Sequence, residues 1–393
     1  MKKALKIICL LALVVAFTAT AACADKQEET QVHKIGVVVY DLQDEQVQAF
    51  REYLEGYIAE NFTDVDFLYS PGVTTEEEEL AFLQSAIDEG VEGFLAFNSF
   101  DLETELKLCA DNGVYFIRPS STTATEEFEK VADNPYFLGY FGPGDEMEYQ
   151  AGYDMGSYFA EQRTGDSYFL VSGGAGFQNV MHSERTIGVL DALQENYGVQ
   201  FDQTSEELAA TQEPLHVQAG DLKVCIFPGY ISVDEIGQQA VAEFQADKAD
   251  VVLSVIPLQT IADSLGDADF GIIDCYTAQN GELFKNGHLK YLCGKYESII
   301  GPAFAALYNA IGGYGDEFRE DGKAFAIQQG FWTSTTYADF QKKYALSSGI
   351  ALNAYSYEDL LEVCKAHNPK ATLDDLKALA AAWDFDSAVQ RRK

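Results

Sequence analysis

From residue 34 onward, short apolar runs alternate with longer segments whose apolar positions recur every three or four residues. The first pattern predicts strands at 35–40, 65–69, 93–97 and 114–117, and the second predicts helices near 45–60, 76–89 and 102–112. A polar stretch rich in Ser and Thr, 118–133, reads as a loop or a crossing between lobes. The alternation then resumes, with strands at 137–141, 168–171, 224–227, 251–255, 270–273 and 289–292. Helices are expected near 146–162, 184–196, 233–246, 259–265 and 299–311. A βαβα order calls for parallel sheets with helices on both faces, so the fold class is α/β, with two consecutive Rossmann-like lobes. The tail adds apolar segments at 325–332 and 350–355 and helices near 357–366 and 373–383. The expected organisation is a first lobe of 34–122 plus about 296–325, a second lobe of 123–295, and a C-terminal extension of 326–393.

The first 32 residues follow a different pattern. Lys2 and Lys3 precede an apolar run at 7–17, then Thr20, Ala21, Ala22 and Cys23, then a polar stretch at 24–32. A basic start, a short apolar core and small residues describe an export signal, and the run is too short to span a bilayer as a helix. Residues 1–22 are therefore read as a signal peptide and 23–33 as a linker. Small residues directly before a cysteine resemble a bacterial lipobox, which implies lipidation of Cys23 and a membrane anchor on the extracytoplasmic side. Thr20 departs from that pattern, which usually has an aliphatic residue there.

Charge narrows the partners. Removing 1–22 takes away three lysines and no acid, moving the net charge from −37 to −40. A field of that sign repels phosphate and excludes nucleic acid as a partner. The acidic run 76–79 lies at a helix start, where the helix dipole favours negative charge, so it calls for no function. Past Cys23 the cysteines are Cys109, Cys225, Cys275, Cys293 and Cys364. They are odd in number and irregularly spaced, so they form no disulfide framework. No C-x-x-C or H-E-x-x-H occurs and the five histidines are scattered, so no metal site and no cofactor is expected. The chain also lacks G-x-S-x-G, and Gly173-Gly-Ala-Gly176 only partly resembles a dinucleotide loop, which argues against an enzyme.

Several segments taken in order carry a resemblance. Lys34-Ile-Gly-Val-Val-Val-Tyr40-Asp41 looks like an opening strand, and Glu89-Gly-Val-Glu-Gly93-Phe-Leu-Ala-Phe-Asn98 like a third unit. Glu184-Arg185-Thr-Ile-Gly188, after the turn Ser172-Gly-Gly-Ala-Gly-Phe177, looks like an R-x-x-G element, and Phe270-Gly-Ile-Ile-Asp274 like a late strand ending in aspartate. Together, over about 34–311, they resemble the type I substrate-binding proteins of ABC transporters. That group includes the ribose- and galactose-binding proteins and the basic membrane protein nucleoside binders. The resemblance implies two lobes joined by a hinge, closing on a small ligand held beyond the carboxyl ends of the strands.

The ligand candidates follow from those strand ends. In the first lobe they are Tyr40, Asp41, Gln43, Asn98, Ser99, Phe100 and Arg118. In the second they are Phe141, Phe177, Asn179, Arg185, Pro257 and Asp274, with Lys295 where the chain crosses back. Each has a simpler reading: Tyr40 as a rim aromatic, Asp41 and Asp274 as helix caps, Arg185 as a solvated helix residue. Two departures from the sugar binders stand out. Asp41-Leu-Gln-Asp-Glu45 replaces an Asn-Pro-aromatic turn, and Asn98-Ser99-Phe100 replaces an aspartate often followed by arginine. The expected function is an exported solute-binding lipoprotein, acting as a monomer with an ABC permease and capturing a sugar. A nucleoside ligand, and sensing for a membrane kinase, stand as alternatives.

Overall fold

A computed structural model describes residues 32–163, 165–347 and 353–392, so the segment expected to be an export signal and Cys23 lie outside the described residues. The apolar runs form strands β1 (His33–Val38), β2 (Val65–Tyr69), β3 (Gly93–Ala96), β4 (Tyr115–Arg118) and β5 (Phe137–Gly142). With β12 (Phe325–Gln328) they make a six-stranded, wholly parallel sheet in the order β12-β5-β4-β3-β1-β2. A second sheet contains β6 (Ser167–Gly173), β7 (Leu215–Ala219), β8 (Leu222–Pro228), β9 (Val251–Ser254), β10 (Asp269–Cys275), β11 (Leu289–Lys295) and β13 (Trp332–Ser334). Its order is β13-β11-β10-β9-β6-β8-β7, parallel except for the antiparallel edge strands β7 and β13. Central strands such as β3, with all four residues buried, show the continuous apolar runs of sheets covered on both faces.

The structure moves two boundaries. The strand at 137–141, expected to open the second lobe, lies in the first sheet between β4 and β12. A run of alternating strands and helices does not record which sheet a strand joins, and the chain crosses only after this strand, at Gly142-Pro143-Gly144. Gly142 makes that crossing with φ +152°, where an added Cβ would lie 2.3 Å from the Ser121 carbonyl oxygen. The helix Asp145–Gln162 then packs on β9, β10 and β11.

The tail is not an appendage. β12 extends the first sheet and β13 the second, and the helix Leu373–Ala381 packs on β12 and on the helix Gly301–Asn309. Three segments thus connect the sheets: β5 to the helix Asp145–Gln162, β11 to the helix Gly301–Asn309, and β12 to β13.

Candidate functional site

Because both sheets are parallel at their centres, their carboxyl ends collect the loops that follow each strand. Lys295, the last residue of β11, donates to the Ser120 carbonyl oxygen beyond β4 at 2.8 Å, with both residues buried. Thr122, in the same loop, donates to Glu148 of the helix Asp145–Gln162 at 2.8 Å. Glu45, at the start of the first helix, lies against Asp274 at the carboxyl end of β10 and Thr277 just beyond it. The carboxyl ends of the two sheets therefore face each other.

Apolar exposure concentrates on these ends. Among the described residues, the exposed large hydrophobic side chains other than Val32 are Tyr40, Phe100, Phe177, Val180, Tyr230 and Val233, all in loops or helix starts after β1, β3, β6 and β8. Phe100 and Phe177 are 48% and 51% exposed. Among the described residues, several of the buried polar atoms without a hydrogen-bond partner lie on the first-lobe side of these ends: Asn98 Oδ1, Ser99 Oγ, Arg118 Nε, Ser120 Oγ and Glu45 Oε2. Ser120 also holds φ +52°, a conformation that costs energy in a non-glycine residue.

The loop after β3 is fixed by two buried carboxylates. Glu79 accepts from Asn98 Nδ2 at 3.1 Å and from the Phe100 amide at 2.9 Å; Glu105 accepts from the Phe100 and Asp101 amides at 3.0 Å each. Burial and the neighbouring Glu105 push Glu79 well above the usual carboxylate range, so the pair holds a proton. Across the cleft Asp274 accepts from Gln259 at 3.1 Å and Asn280 at 2.8 Å, and burial raises its pKa. Burial, then the charge of Asp274, lifts Glu45 to about 7. Asp44, not Asp41, caps the helix Glu45–Tyr53, and its pKa is likewise raised by burial. The Tyr40 ring is 40% exposed, yet desolvation and the adjacent Asp44 keep its phenol protonated. Lys295 is lowered to about 8, chiefly by burial. The cleft is thus lined by hydrogen-bonding groups and aromatic faces, and burial raises the pKa of several of its acids.

No family model matches the chain, and no curated protein sequence matches it. Solved structures do match. The periplasmic binding protein component of the arabinose ABC transporter from Shewanella sp. ANA-3 aligns over 79% of this chain and 94% of its own, with 12% identity and a TM-score of 0.56. An ABC transporter solute-binding protein from Bacillus halodurans C-125 with bound myo-inositol covers 81% of this chain and 99% of its own, at 16% identity and TM-score 0.57. A periplasmic solute-binding protein from Actinobacillus succinogenes 130z with bound D-allose covers 79% and 99%, at 12% identity and TM-score 0.58. The chain has the type I periplasmic binding protein fold. At these identities the likeness speaks for the fold. Among the described residues no helix is long and apolar enough to cross a membrane.

Within this fold the expected residues divide. Tyr40, Asn98, Ser99, Phe100, Arg118, Asp274 and Lys295 sit on the facing ends, with Phe177 and half-buried Pro257 on the second-lobe rim. Arg118 donates to Thr123 Oγ1 at 2.9 Å. Asp41 and Gln43 are exposed and close a local turn, in which the Gln43 amide donates to Asp41 Oδ1 at 2.8 Å. Asn179 caps the helix Val180–Tyr197 and its amide reaches the Tyr230 hydroxyl at 3.4 Å.

Two expectations change. Phe141 is fully buried, edge-on to Phe325 in the core of the first sheet. Arg185 donates to Glu148 Oε2 at 2.6 Å and to the Val255 carbonyl oxygen at 2.9 Å. Gly188, one turn on, lets the backbone of the neighbouring helix come close: an added Cβ would lie 2.1 Å from the Tyr149 carbonyl oxygen. The R-x-x-G element therefore joins two helices of the second lobe. The sequence reading missed Asp44, Glu45, Glu79, Glu105, Ser120 and Glu148. Only Asp44 and Glu45 carried a usable signal, as acids at a helix start directly after a strand end.

Proposed function

We propose that this protein is an extracytoplasmic solute-binding protein that takes a small polyhydroxy ligand, a sugar or cyclic polyol, between its two lobes. One observation carries the reading: exposed aromatic faces and partnerless buried polar atoms meet at the facing carboxyl ends of two parallel sheets. A buried polar atom without a partner costs about 1–3 kcal/mol, which a ligand bearing many hydroxyls offsets, and the flat apolar face of a sugar ring suits Phe100 and Phe177. The neighbours in fold with arabinose, D-allose and myo-inositol in their descriptions support the same class. Delivery to an ABC permease, an anchor at Cys23 and a monomeric state complete the proposal.

A thermal-shift screen of purified residues 24–393 tests it, because a ligand selective for the native state raises the melting temperature. A sugar or cyclic polyol is expected to raise it at millimolar concentration where nucleosides do not. Phe100→Ala and Phe177→Ala should shrink that shift while leaving the unliganded melting temperature nearly unchanged, since both rings are exposed. Selectivity for nucleosides, or no response to any sugar or polyol, rejects the ligand class.

A further inference from the structure

The edge hairpin of the second sheet brings together side chains that the cleft does not use. β7 and β8 pair antiparallel with His216 directly opposite Cys225, so the two side chains leave the same face. The helix Asp234–Asp247, seated on the sheet through Phe244 edge-on to Phe169, presents Glu243 and Asp247 one turn apart to that pair. His216 Nε2 lies 3.8 Å from Cys225 Sγ and 3.5 Å from Glu243 Oε2, and His216 Nδ1 lies 3.6 Å from Asp247 Oδ1. One donor atom each from His216, Cys225 and Asp247 falls within 4.8 Å of the others.

We propose that His216, Cys225 and Asp247, with Glu243 as fourth donor, form a zinc-class metal site that ties the edge hairpin to its covering helix. Zinc bonds of about 2.0–2.3 Å set neighbouring donors about 3.3–3.8 Å apart in a tetrahedron; Cys225 and Glu243 already stand at such distances from His216 Nε2, and Asp247, which faces Nδ1, has to swing round the ring to complete the set. Cys225 is buried, whereas the His216, Glu243 and Asp247 side chains are partly exposed and already drawn together by ion pairing. A thiolate and an imidazole favour zinc over magnesium or calcium. Burial and the charges of Asp247 and Glu243 push the Cys225 thiol up to about 12. A bound dication reverses that balance, and binding releases the thiol proton. A plain ion pair accounts for an imidazole between two carboxylates, but it assigns no role to the sulfur.

The sulfur decides the test. Cobalt(II) added to the metal-free full chain is expected to bind at one equivalent with a thiolate-to-cobalt charge-transfer band, and zinc to displace it and raise the melting temperature. Cys225→Ser should abolish the band despite the chain's other cysteines. His216→Ala and Asp247→Asn should each weaken binding roughly tenfold or more. Absence of stoichiometric binding, or a band that survives Cys225→Ser, overturns the site. Should Cys225→Ser fail to fold, an unchanged affinity in His216→Ala overturns it equally, because that side chain is half exposed and its loss leaves the core intact.

Discussion

Beyond β3 the amides of Phe100 and Asp101 point at Glu79 and Glu105, and the proton shared by these carboxylates makes stability depend on pH. A carboxyl raised in the folded state keeps a proton that the unfolded chain has lost, so stability falls as pH rises between the ordinary and the raised value. Glu79, Glu45 at about 7 and Glu297 at about 8 all act in this sense. His182, pushed down to about 3 chiefly by burial, works oppositely, but only below its ordinary pKa of 6.5. Lys295 adds an opposite slope only above about 8. Urea unfolding from pH 6.5 to 8 is therefore expected to show falling stability. Glu79→Gln should flatten that fall, by up to about 1.4 kcal/mol per pH unit. An equal slope in the variant would show that the pair holds no proton. At this scale the sequence reveals a side chain when its strand end alone decides its place, as for Asn98 and Arg118. It hides one whose role needs a partner far along the chain. Glu79 reads as one acid in a helix-start run, and only its approach to Glu105 gives it another role.

Among the elements, the helices Asp145–Gln162 and Val180–Tyr197 are the closest-packed pair. Gly152, Gly156 and Gly188 allow main chain to meet main chain, and the Glu148–Arg185 bond lies between the helices. Gly188→Ala has no flexible side chain to displace, since its Cβ would meet the backbone of Tyr149 and Tyr153. We expect a loss of roughly 1–3 kcal/mol in urea unfolding, and an unchanged midpoint would show that the helices separate freely. Helices and central strands were legible because their periods differ and their strands are buried on both faces. β7 was not foreseen, although Leu-His-Val-Gln-Ala alternates and Gly220, at φ +59°, opens a two-residue turn into β8. A short, half-exposed edge strand offers too few apolar positions to stand out.

Across the whole molecule the C-terminal segment closes over the lobe connections. Tyr296, after β11, stacks on Trp332 of β13 with ring centroids 3.9 Å apart, and both donate to the Trp383 carbonyl oxygen, at 2.8 and 2.9 Å. Leu360 and Leu376 of the tail helices are fully buried. A chain ending at Ser347 loses the Trp383 carbonyl acceptor and the buried Leu360 and Leu376, and should not melt in one cooperative transition near the full-length temperature. Circular dichroism checks this, and a superimposable melt would make the tail dispensable. The sequence by itself determined the alternation, the two parallel sheets and the strand ends at which we propose a ligand site, because local periodicity and burial write those features into neighbouring residues. Tertiary structure alone decided which sheet β5 and β12 join, that Arg185 serves Glu148, and that His216 meets Cys225 under Glu243 and Asp247. Each of these depends on strand order or on packing between segments distant in the chain, and no local pattern of polar and apolar positions encodes such a meeting.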